Sequence, residues 1–373
     1  MEFRCVVPCL IGLESIIADE LKMMGVQNVT CENARVLFSG DESVVARANI
    51  CLRSAERVQI LVGEFYATSF EELFEGTKSL EWEKFVGEHD AFPVKGYSIN
   101  SRLFSVRDCQ SIIKKAVVER LKQKYKAQWF DEIGPVHQIQ FSVMKDKVSL
   151  LLDTSGAGLH KRGYRPVAND APIKETIAAA FCNIARLRDF HTLYDPMCGS
   201  GTIPIEGAQK ACNIAPGKNR NFSCESWSIF DEKVFSSERE RAKELEKTDC
   251  DFVCYASDID EKALETARIN AKAAGVESRI IFEKRDLRDF EKKTERGTVI
   301  VNPPYGERLL DVEQARDIYR IMGEKFTPEK GWSYYIISPD EDFEKLFGKK
   351  ADKRRKIYNG MIKCQLYMYF KQI

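Results

Sequence analysis

A polar and aromatic corner follows a short apolar segment in the second half of the chain. Asn302, Pro303, Pro304 and Tyr305 come directly after the run 298–301, which has the composition of a buried strand. The prolines fix the backbone and remove two N–H donors, so their carbonyls and the Asn302 amide oxygen remain as acceptors with fixed directions. Such acceptors suit an exocyclic base amine, whose two hydrogens must be held while its nitrogen attacks an electrophile. Tyr305 offers a flat face for base stacking, worth roughly 1 to 3 kcal/mol. The alternative interpretation is a proline-rich turn.

A second candidate loop, DPMCGSGT, spans residues 195–202 between a short apolar strand and a helix-like run. Gly199 and Gly201 allow a tight turn and close approach to a ligand, and Asp195 adds a carboxylate. A dinucleotide fingerprint is excluded because Pro204 replaces its third glycine, and a P-loop is excluded because no Gly-Lys-Ser/Thr follows. The carboxylate at the head of the loop suits a cationic amino group better than a pyrophosphate. A ligand that carries an ammonium, a ribose and an adenine therefore fits this loop.

Two further carboxylates follow the next apolar segments. Asp258 and Asp286 each end a strand-like run, which is where open α/β sheets bind ligands. Asp260 is better interpreted as the cap of an amphipathic helix, although Ser257 and Asp260 remain minor candidates for the ribose site. Asp258 lies 57 positions after Gly201 instead of about 20, so the sequence predicts an inserted loop and a helix between them.

Basic residues cluster in two segments, although the whole chain carries 57 basic and 57 acidic residues. Eight basic and two acidic residues lie between Arg102 and Lys126, and six basic residues and one Asp lie between Lys349 and Lys356. Such segments are typical of phosphate-binding surfaces, and the alternative is a solvated helix face. The candidate RNA-binding residues are Arg102, Lys114, Lys115, Arg120, Lys122 and Lys124. Arg162 and Arg165 of the following linker are candidates too, either as an RNA-facing hook or as parts of a packed connector, and a mixed role is favoured.

Composition indicates a folded protein of two or three domains, with 44% hydrophobic residues and 12 prolines in 373 residues. The apolar N-terminal stretch is broken by Glu14, so we expect neither a signal peptide nor a membrane span, and a cytoplasmic location is the default. The twelve cysteines contain no Cys-x-x-Cys pair, so we expect reduced thiols and no metal site.

The elements that must position these residues follow from hydrophobic patterning. The first 66 residues predict the order β-α-β-β-α-β, which is the ferredoxin-like pattern. Residues 69–155 predict a helix, a strand, a basic helix over 109–125 and two further strands. A Gly- and Pro-rich linker, 154–172, then leads to helices that alternate with strands near Leu193, Phe252, Ile280, Val299 and Tyr334. That alternation predicts a doubly wound, mostly parallel sheet, and Asn359-Gly360 predicts the turn of a terminal hairpin.

These motifs together resemble a known family. The chain resembles the bacterial THUMP-domain 23S rRNA guanine-N2 methyltransferases, which are class I S-adenosylmethionine-dependent enzymes. The motifs that carry this resemblance are, in order, GLHKRGYR (158–165), APIKETIAAA (171–180), DPMCGSGT (195–202) and NPPYGERL (302–309). The resemblance runs over nearly the whole chain. It implies a ferredoxin-like domain at 1–66, a THUMP RNA-binding domain at 67–155 and a Rossmann-like methyltransferase domain at 156–373, whose sheet ends in an antiparallel edge strand.

The resemblance also implies roles for the motif residues. Asp195 would meet the methionine end of S-adenosylmethionine, the backbone around Gly199 and Gly201 its carboxylate, Asp258 the ribose and Asp286 the adenine amine. The segment 174–176 would lie near the cofactor. The candidate cofactor-binding residues are therefore Asp195, Pro196, Met197, Cys198, Gly199, Gly201, Thr202, Asp258 and Asp286, and the candidate catalytic residues are Asn302, Pro303, Pro304 and Tyr305.

The expected function is transfer of a methyl group to the N2 of a guanine, in 23S rRNA or a ribosomal precursor. Three alternatives stay open at this stage. A tRNA guanine-N2 methyltransferase shares the THUMP domain and the corner, an adenine-N6 methyltransferase shares the corner, and an RNA-binding assembly factor would share the fold without the chemistry. The sequence does not indicate the modified nucleotide or the oligomeric state.

Overall fold

The strands form two seven-stranded sheets in the residues that the computed structural model describes, 1–165, 173–305, 311–360 and 362–371. The first sheet has the order β2-β3-β1-β4-β7-β6-β5 and belongs to the first 153 residues. Its strands are β1 (Phe3–Pro8), β2 (Thr30–Glu32), β3 (Arg35–Gly40), β4 (Gln59–Tyr66), β5 (Val94–Ile99), β6 (Ile139–Met144) and β7 (Lys147–Asp153). The accompanying helices are α1 (Glu14–Met23), α2 (Glu42–Cys51), α3 (Phe70–Lys78) and α4 (Val106–Tyr125).

The predicted β-α-β-β-α-β order of the N-terminal segment is confirmed. Side chains point alternately to the two faces of a strand, and one face packs in the hydrophobic core, as the buried Ile139, Phe141 and Val143 of β6 show. Side-chain caps start the helices, since Asp41 accepts a hydrogen bond from the Val44 N–H and Ser105 from the Asp108 N–H. β4 pairs antiparallel with β7, so the sheet is continuous across the domain boundary predicted at residue 66. The boundary itself stays a prediction.

The second sheet has the order β10-β9-β8-β11-β12-β14-β13, and its first five strands are parallel. Its strands are β8 (Thr192–Asp195), β9 (Val253–Asp258), β10 (Ile280–Lys284), β11 (Gly297–Val301), β12 (Trp332–Ser338), β13 (Lys353–Asn359) and β14 (Ile362–Tyr369). The helices are α5 (Glu175–Ile184), α6 (Thr202–Ala211), α7 (Val234–Glu244), α8 (Glu261–Ala273), α9 (Val312–Lys325) and α10 (Phe343–Phe347). The predicted doubly wound sheet is thus confirmed, and β13 and β14 form its antiparallel end.

The terminal hairpin turns one residue later than its sequence signal indicates. Asn359 still pairs with Ile362 as the last residue of β13, and Gly360 adopts a φ of 66°, a left-handed conformation that glycine tolerates. Asn359 is therefore a strand residue and not a turn residue.

The insertion between Gly201 and Asp258 packs against the first half of the protein. Its apolar side chains Phe222, Trp227, Phe230 and Phe235 belong to the same hydrophobic core as Phe3 of β1, and the Phe3 and Phe230 rings stack at 5.6 Å. At Gly217 the backbone N–H donates to the Ile50 carbonyl at 2.8 Å. A Cβ there would lie 2.8 Å from Ile50, so this approach requires glycine.

Two other features bear on the class of protein. No helix within the described ranges is long and apolar enough to cross a membrane. Most of the twelve cysteines are buried.

Candidate active site at the strand ends

The strand order reverses direction between β8 and β11. The chain leaves β8 towards β9 and β10 on one side, and β11 and β12 lie on the other. Such a switch point opens a crevice at the carboxyl ends of the strands, where doubly wound sheets bind ligands. Asp195 ends β8, and Asn302 follows β11, which pairs in parallel with β8 through Val299 and Tyr194. The structure therefore brings the glycine loop and the Asn302 corner to one edge of the sheet.

The glycine loop is held by the end of the neighbouring strand β9. The Cys198 N–H donates to the Ser257 carbonyl at 2.9 Å, and the Gly199 N–H donates to Asp258 Oδ2 at 2.8 Å. Gly199 and Gly201 have φ angles of 53° and 81°, which glycine adopts readily. No described atom lies within 4 Å of where a Gly199 Cβ would stand, so the loop presents open backbone to a ligand.

Asp195 is a buried carboxyl at the head of this loop. Its Oδ1 accepts the Met197 N–H at 3.3 Å. Burial raises its pKa well above the ordinary value, and the nearby Asp258 carboxylate raises it further. A cationic group bound beside Asp195 would favour its ionised form.

Asp258 has a structural task that the sequence did not indicate. Besides accepting from Gly199, it accepts the Asp260 N–H through Oδ1 at 3.0 Å, so both oxygens orient backbone around the loop. Each oxygen keeps a lone pair for a ligand hydroxyl. Asp260 itself caps α8 by accepting from the Lys262 N–H at 2.9 Å, which confirms its interpretation as a helix cap.

Asp286 lines an open cleft of about 760 Å³ beyond the ends of β9 and β10. It accepts the Arg288 N–H at 2.8 Å and pairs with the Arg288 guanidinium at 3.0 Å. Ile259 and Phe290 also line the cleft, and Ile259 is 65% exposed. Sequence reasoning missed Ile259, although a large apolar residue between two aspartates after a strand is a usable signal. An apolar wall beside an acceptor suits a purine ring.

The corner residues contact one another and the terminal hairpin. The Tyr305 hydroxyl donates to Asn302 Oδ1 at 2.5 Å, and Asn359 Nδ2 donates to the Tyr305 hydroxyl at 3.2 Å. Burial raises the pKa of Tyr305 well above its usual range. Pro303 is buried and Pro304 is half-buried. No motif in the sequence indicates that Asn359 reaches this corner. Residues 306–309 of the motif lie outside the described residues, as do Ala171 and Pro172.

The residues present fit S-adenosylmethionine. A buried acid suits its ammonium, the open space beside Gly199 leaves room for its methionine end, free lone pairs on Asp258 suit a ribose, and the cleft by Asp286 suits an adenine. No group of histidine, cysteine and acidic side chains that could hold a metal occurs in the described part of the chain.

Comparison with known proteins gives the family. Residues 162–368, more than half of the chain, match the family model described as RMKL-like, methyltransferase domain. Residues 4–59 match the RlmL ferredoxin-like domain, and residues 67–153 match the THUMP domain. The chain belongs to the RMKL-like methyltransferase family. The predicted family and fold class are thereby confirmed.

Relatives of this RMKL-like methyltransferase cover its full length. It is 42% identical over 364 residues to the putative RNA methyltransferase YpsC of Bacillus subtilis (strain 168), covering 97% of this chain and 94% of that protein. It is 33% identical to the ribosomal RNA large subunit methyltransferase K/L of Shewanella amazonensis over 96% of this chain, but it spans only 52% of that relative. The crystal structure of SMU.472, a putative methyltransferase complexed with SAH, aligns with a TM-score of 0.94 at 41% identity, covering 100% of this chain and 99% of that one.

The structure of this RMKL-like methyltransferase corrects one candidate RNA contact. Arg162 is buried, with its guanidinium 3.4 Å from Glu206 and donating to the Leu159 carbonyl at 2.7 Å. Its predicted contact with RNA is wrong, because the side chain joins the linker to α6. Arg165 is half-buried, donates to the Thr202 hydroxyl and lies 3.3 Å from Glu175. It therefore supports the first turn of α6 beside the glycine loop.

The predicted cations of α4 divide into paired and exposed groups. Lys114 pairs with Glu132 at 2.6 Å and Arg120 with Glu83 at 2.5 Å. Lys122 is half-buried and lies 3.1 Å from Glu119. The remaining candidates, Arg102, Lys115 and Lys124, are exposed. Exposed cations are the better candidates for phosphate contacts.

Proposed function

We propose that this protein transfers the methyl group of S-adenosylmethionine to the exocyclic N2 of a guanine in RNA, and that the RNA is 23S rRNA or its precursor. The observation that carries the proposal is the Asn302-Pro303-Pro304 corner, set beside the glycine loop at the switch point of the sheet. Support for the substrate comes from the THUMP match and from relatives named as ribosomal RNA large subunit methyltransferases. We propose that the chain consists of three domains, at 1–66, 67–155 and 156–373. The first two would hold the RNA, and the third would transfer the methyl group.

In the proposed reaction the corner holds the guanine amine. Asn302 Oδ1 and the Pro303 carbonyl accept its two hydrogens, which frees the nitrogen lone pair from conjugation with the ring. The cofactor, when bound, supplies an electrophilic methyl group to that lone pair. The amine then loses one proton to water, so no strong general base is required. Tyr305 would stack on the extruded base, and extrusion costs a few kcal/mol, least for an unpaired nucleotide.

The N-terminal half would hold the RNA by its phosphates. Exposed Lys115 and Lys124 lie on α4, and each neutralised phosphate makes binding more salt-dependent. A cytoplasmic location is part of the same proposal.

The test is transfer of tritiated methyl groups to unmodified 23S rRNA, 16S rRNA, tRNA and duplex DNA, followed by nucleoside analysis. N2-methylguanosine from 23S rRNA is the expected product. The same nucleoside from tRNA alone would make the protein a tRNA enzyme, and N6-methyladenine would overturn the base assignment. Failure to bind S-adenosylmethionine would favour a non-enzymatic RNA-binding factor.

A first prediction concerns Asn302. Asn302→Ala removes one of the two amine acceptors but no group of the glycine loop. We expect kcat to fall at least about a hundredfold, the usual effect of losing one reaction-specific hydrogen bond, with the cofactor Kd unchanged by calorimetry. Retained turnover would remove Asn302 from the mechanism.

A further inference from the structure

Asn359 belongs to the terminal hairpin, yet it contacts the candidate target-base corner. Its Nδ2 donates to the Tyr305 hydroxyl at 3.2 Å, and that hydroxyl donates to Asn302 Oδ1 at 2.5 Å. The three side chains form a directed chain of hydrogen bonds from the end of β13 to the end of β11. The Cys364 thiol approaches the same hydroxyl.

Packing holds the Tyr305 side chain in this position. It lies half-buried against the hydrophobic core that contains Ile357 and Cys364. Because burial raises the pKa of its phenol well above the ordinary value, the hydroxyl keeps its proton at physiological pH. It therefore acts as a permanent donor to Asn302.

This arrangement conflicts with what the proposed reaction needs from the same residues. The reaction needs Asn302 Oδ1 as an acceptor for the base amine and the ring of Tyr305 as a stacking face. In the free protein the hydroxyl occupies one of the two lone pairs of Oδ1, so only one is left for the base amine, and the ring packs against protein. The hydrogen bond also satisfies polar groups that would otherwise be half-buried without partners.

We propose that Asn359 is a positioning residue that keeps Tyr305 in a closed corner until the target base enters. The base amine then replaces the Tyr305 hydroxyl on Asn302 Oδ1, and the released ring stacks on the base. Asn302 Oδ1 thus exchanges one hydrogen bond for another. This inference rests on the proposed use of the corner for a base amine.

A closed state of this kind lowers the apparent affinity for the base, because only the open fraction binds. A net hydrogen bond of about 1 kcal/mol corresponds to roughly a fivefold change in that equilibrium. Loss of the Tyr305 hydroxyl should therefore favour base entry, whereas loss of the whole ring should remove stacking.

The first experiment needs no RNA. 3-Fluorotyrosine is introduced at position 305, and its ¹⁹F resonance is compared in the otherwise unchanged protein and in Asn359→Ala. We expect Asn359→Ala to move the resonance towards the solvent-exposed position and to raise its sensitivity to a soluble paramagnetic probe. An unchanged, protected resonance would overturn the role of Asn359, whether or not the protein methylates guanine.

The second experiment uses the RNA that the wild-type enzyme methylates. Affinities are measured with S-adenosylhomocysteine present, for that RNA and for the same RNA with an abasic site at the target. The affinity for the intact RNA divided by the affinity for the abasic RNA isolates the contribution of base entry. Tyr305→Phe should raise this ratio roughly fivefold, and Asn359→Ala should raise it to a smaller extent.

Tyr358→Phe is the matched control, since Tyr358 precedes Asn359 on the same strand and has no place in the corner. Its ratio should equal that of the wild type. An unchanged or reduced ratio in Tyr305→Phe would overturn the closed corner, because the hydroxyl would then not oppose base entry. Methylation of adenine instead of guanine would overturn the proposed base, yet the same ratios would still decide the inference.

Discussion

Asp195 combines burial with a charge that the proposed cofactor requires. Its pKa is raised mainly by burial and further by Asp258, so the ionised form is unfavourable in the free protein. A folded-state pKa above the unfolded value means that this carboxyl reduces stability once the pH exceeds its ordinary pKa. The ammonium of the cofactor would offset that cost, which makes Asp195 a residue kept for binding at the expense of stability.

Asp195→Asn should accordingly separate binding from stability. We expect the affinity for S-adenosylmethionine to fall at least about tenfold, and the melting temperature of the free protein at neutral pH to rise. In the wild type the affinity should decline as the pH is lowered, starting above the usual range of a carboxyl, and this decline should be absent from the variant. Calorimetry and thermal unfolding over roughly pH 5 to 8 measure both effects.

Asp260→Ala is the control for position. Asp260 lies two residues after Asp258 and caps α8. Its removal should cost about 1 kcal/mol of unfolding free energy and leave the cofactor affinity intact. If both variants changed binding equally, Asp195 would have no specific role.

At the residue scale, spacing along the chain predicts groups that a motif holds together. Asp195, Gly199 and Asn302 fall within short motifs that end strands, and the structure places them at one edge of the sheet. Asn359 lies 54 positions from Tyr305, and only the pairing of β13 with β14 brings it to the corner. Arg162 shows the opposite error, because its sequence context does not reveal that Glu206 of α6 draws it inside.

Helix α7 shows how an inserted element is fixed to its neighbour. Glu238 of α7 receives two hydrogen bonds from Arg47 of α2, at 2.8 and 3.0 Å, and one from Arg241 at 2.6 Å. Burial alone would raise the pKa of Glu238, but these hydrogen bonds outweigh burial and lower it. A depressed pKa contributes stability above the unfolded-state value that is lost as the pH falls through the folded-state value.

Glu238→Gln should lower the free energy of unfolding by about 1 to 3 kcal/mol near pH 7, because it replaces charge-assisted hydrogen bonds with neutral ones. The difference from the wild type should begin to shrink below about pH 4.5, where the carboxylate of the unfolded chain becomes protonated, and should vanish once the pH falls below the lower folded-state pKa. Glu240→Gln, on an exposed position of the same helix, should have no comparable effect. Denaturant unfolding at two pH values makes the comparison, and an equal loss in both variants would contradict the specific ion pair.

Helix α4 carries a prediction about RNA. Lys115→Glu combined with Lys124→Glu reverses two exposed charges and leaves the ion pairs of Lys114, Arg120 and Lys122 intact. We expect RNA affinity to fall and the slope of log affinity against log salt to decrease by about 1.5 to 2, as for two lost phosphate contacts. Lys243→Glu with Lys272→Glu, an equal charge change on exposed positions of α7 and α8, should alter the slope less. Equal slopes in the two double variants would place the RNA elsewhere.

At the element scale, periodicity and caps predict most helices and strands, because these signals are local. The charged run after Glu238 predicts a helix, and α7 confirms it. The partner of that helix is not predicted, since the residues that α7 contacts on α2 lie about 190 positions earlier. Long-range packing of this kind requires knowledge of the whole fold.

The two halves of the molecule are joined by more than the linker. The insertion supplies Phe222, Trp227, Phe230 and Phe235 to the core of the first half, and the Trp227 ring stacks on buried His137 at 4.3 Å. Arg220 donates to the carbonyls of Ala157 and Gly158. The first half therefore completes its core with residues from the methyltransferase half, which fixes the THUMP-containing half relative to the strand-end site.

A fragment of residues 1–155 should consequently be unstable by itself. Removal of four buried aromatic side chains exposes apolar surface, and each truncation of this kind costs about 3 to 5 kcal/mol, which approaches the whole stability of a domain. We expect this fragment to bind a hydrophobic dye and to lack a cooperative melting transition. A fragment of residues 156–373, added in trans, should restore the transition. As a control, the 156–373 fragment with Trp227→Ala and Phe230→Ala should restore it poorly. Cooperative melting of 1–155 alone, near the temperature of the full chain, would show that the N-terminal half folds independently and that the insertion only rests on its surface.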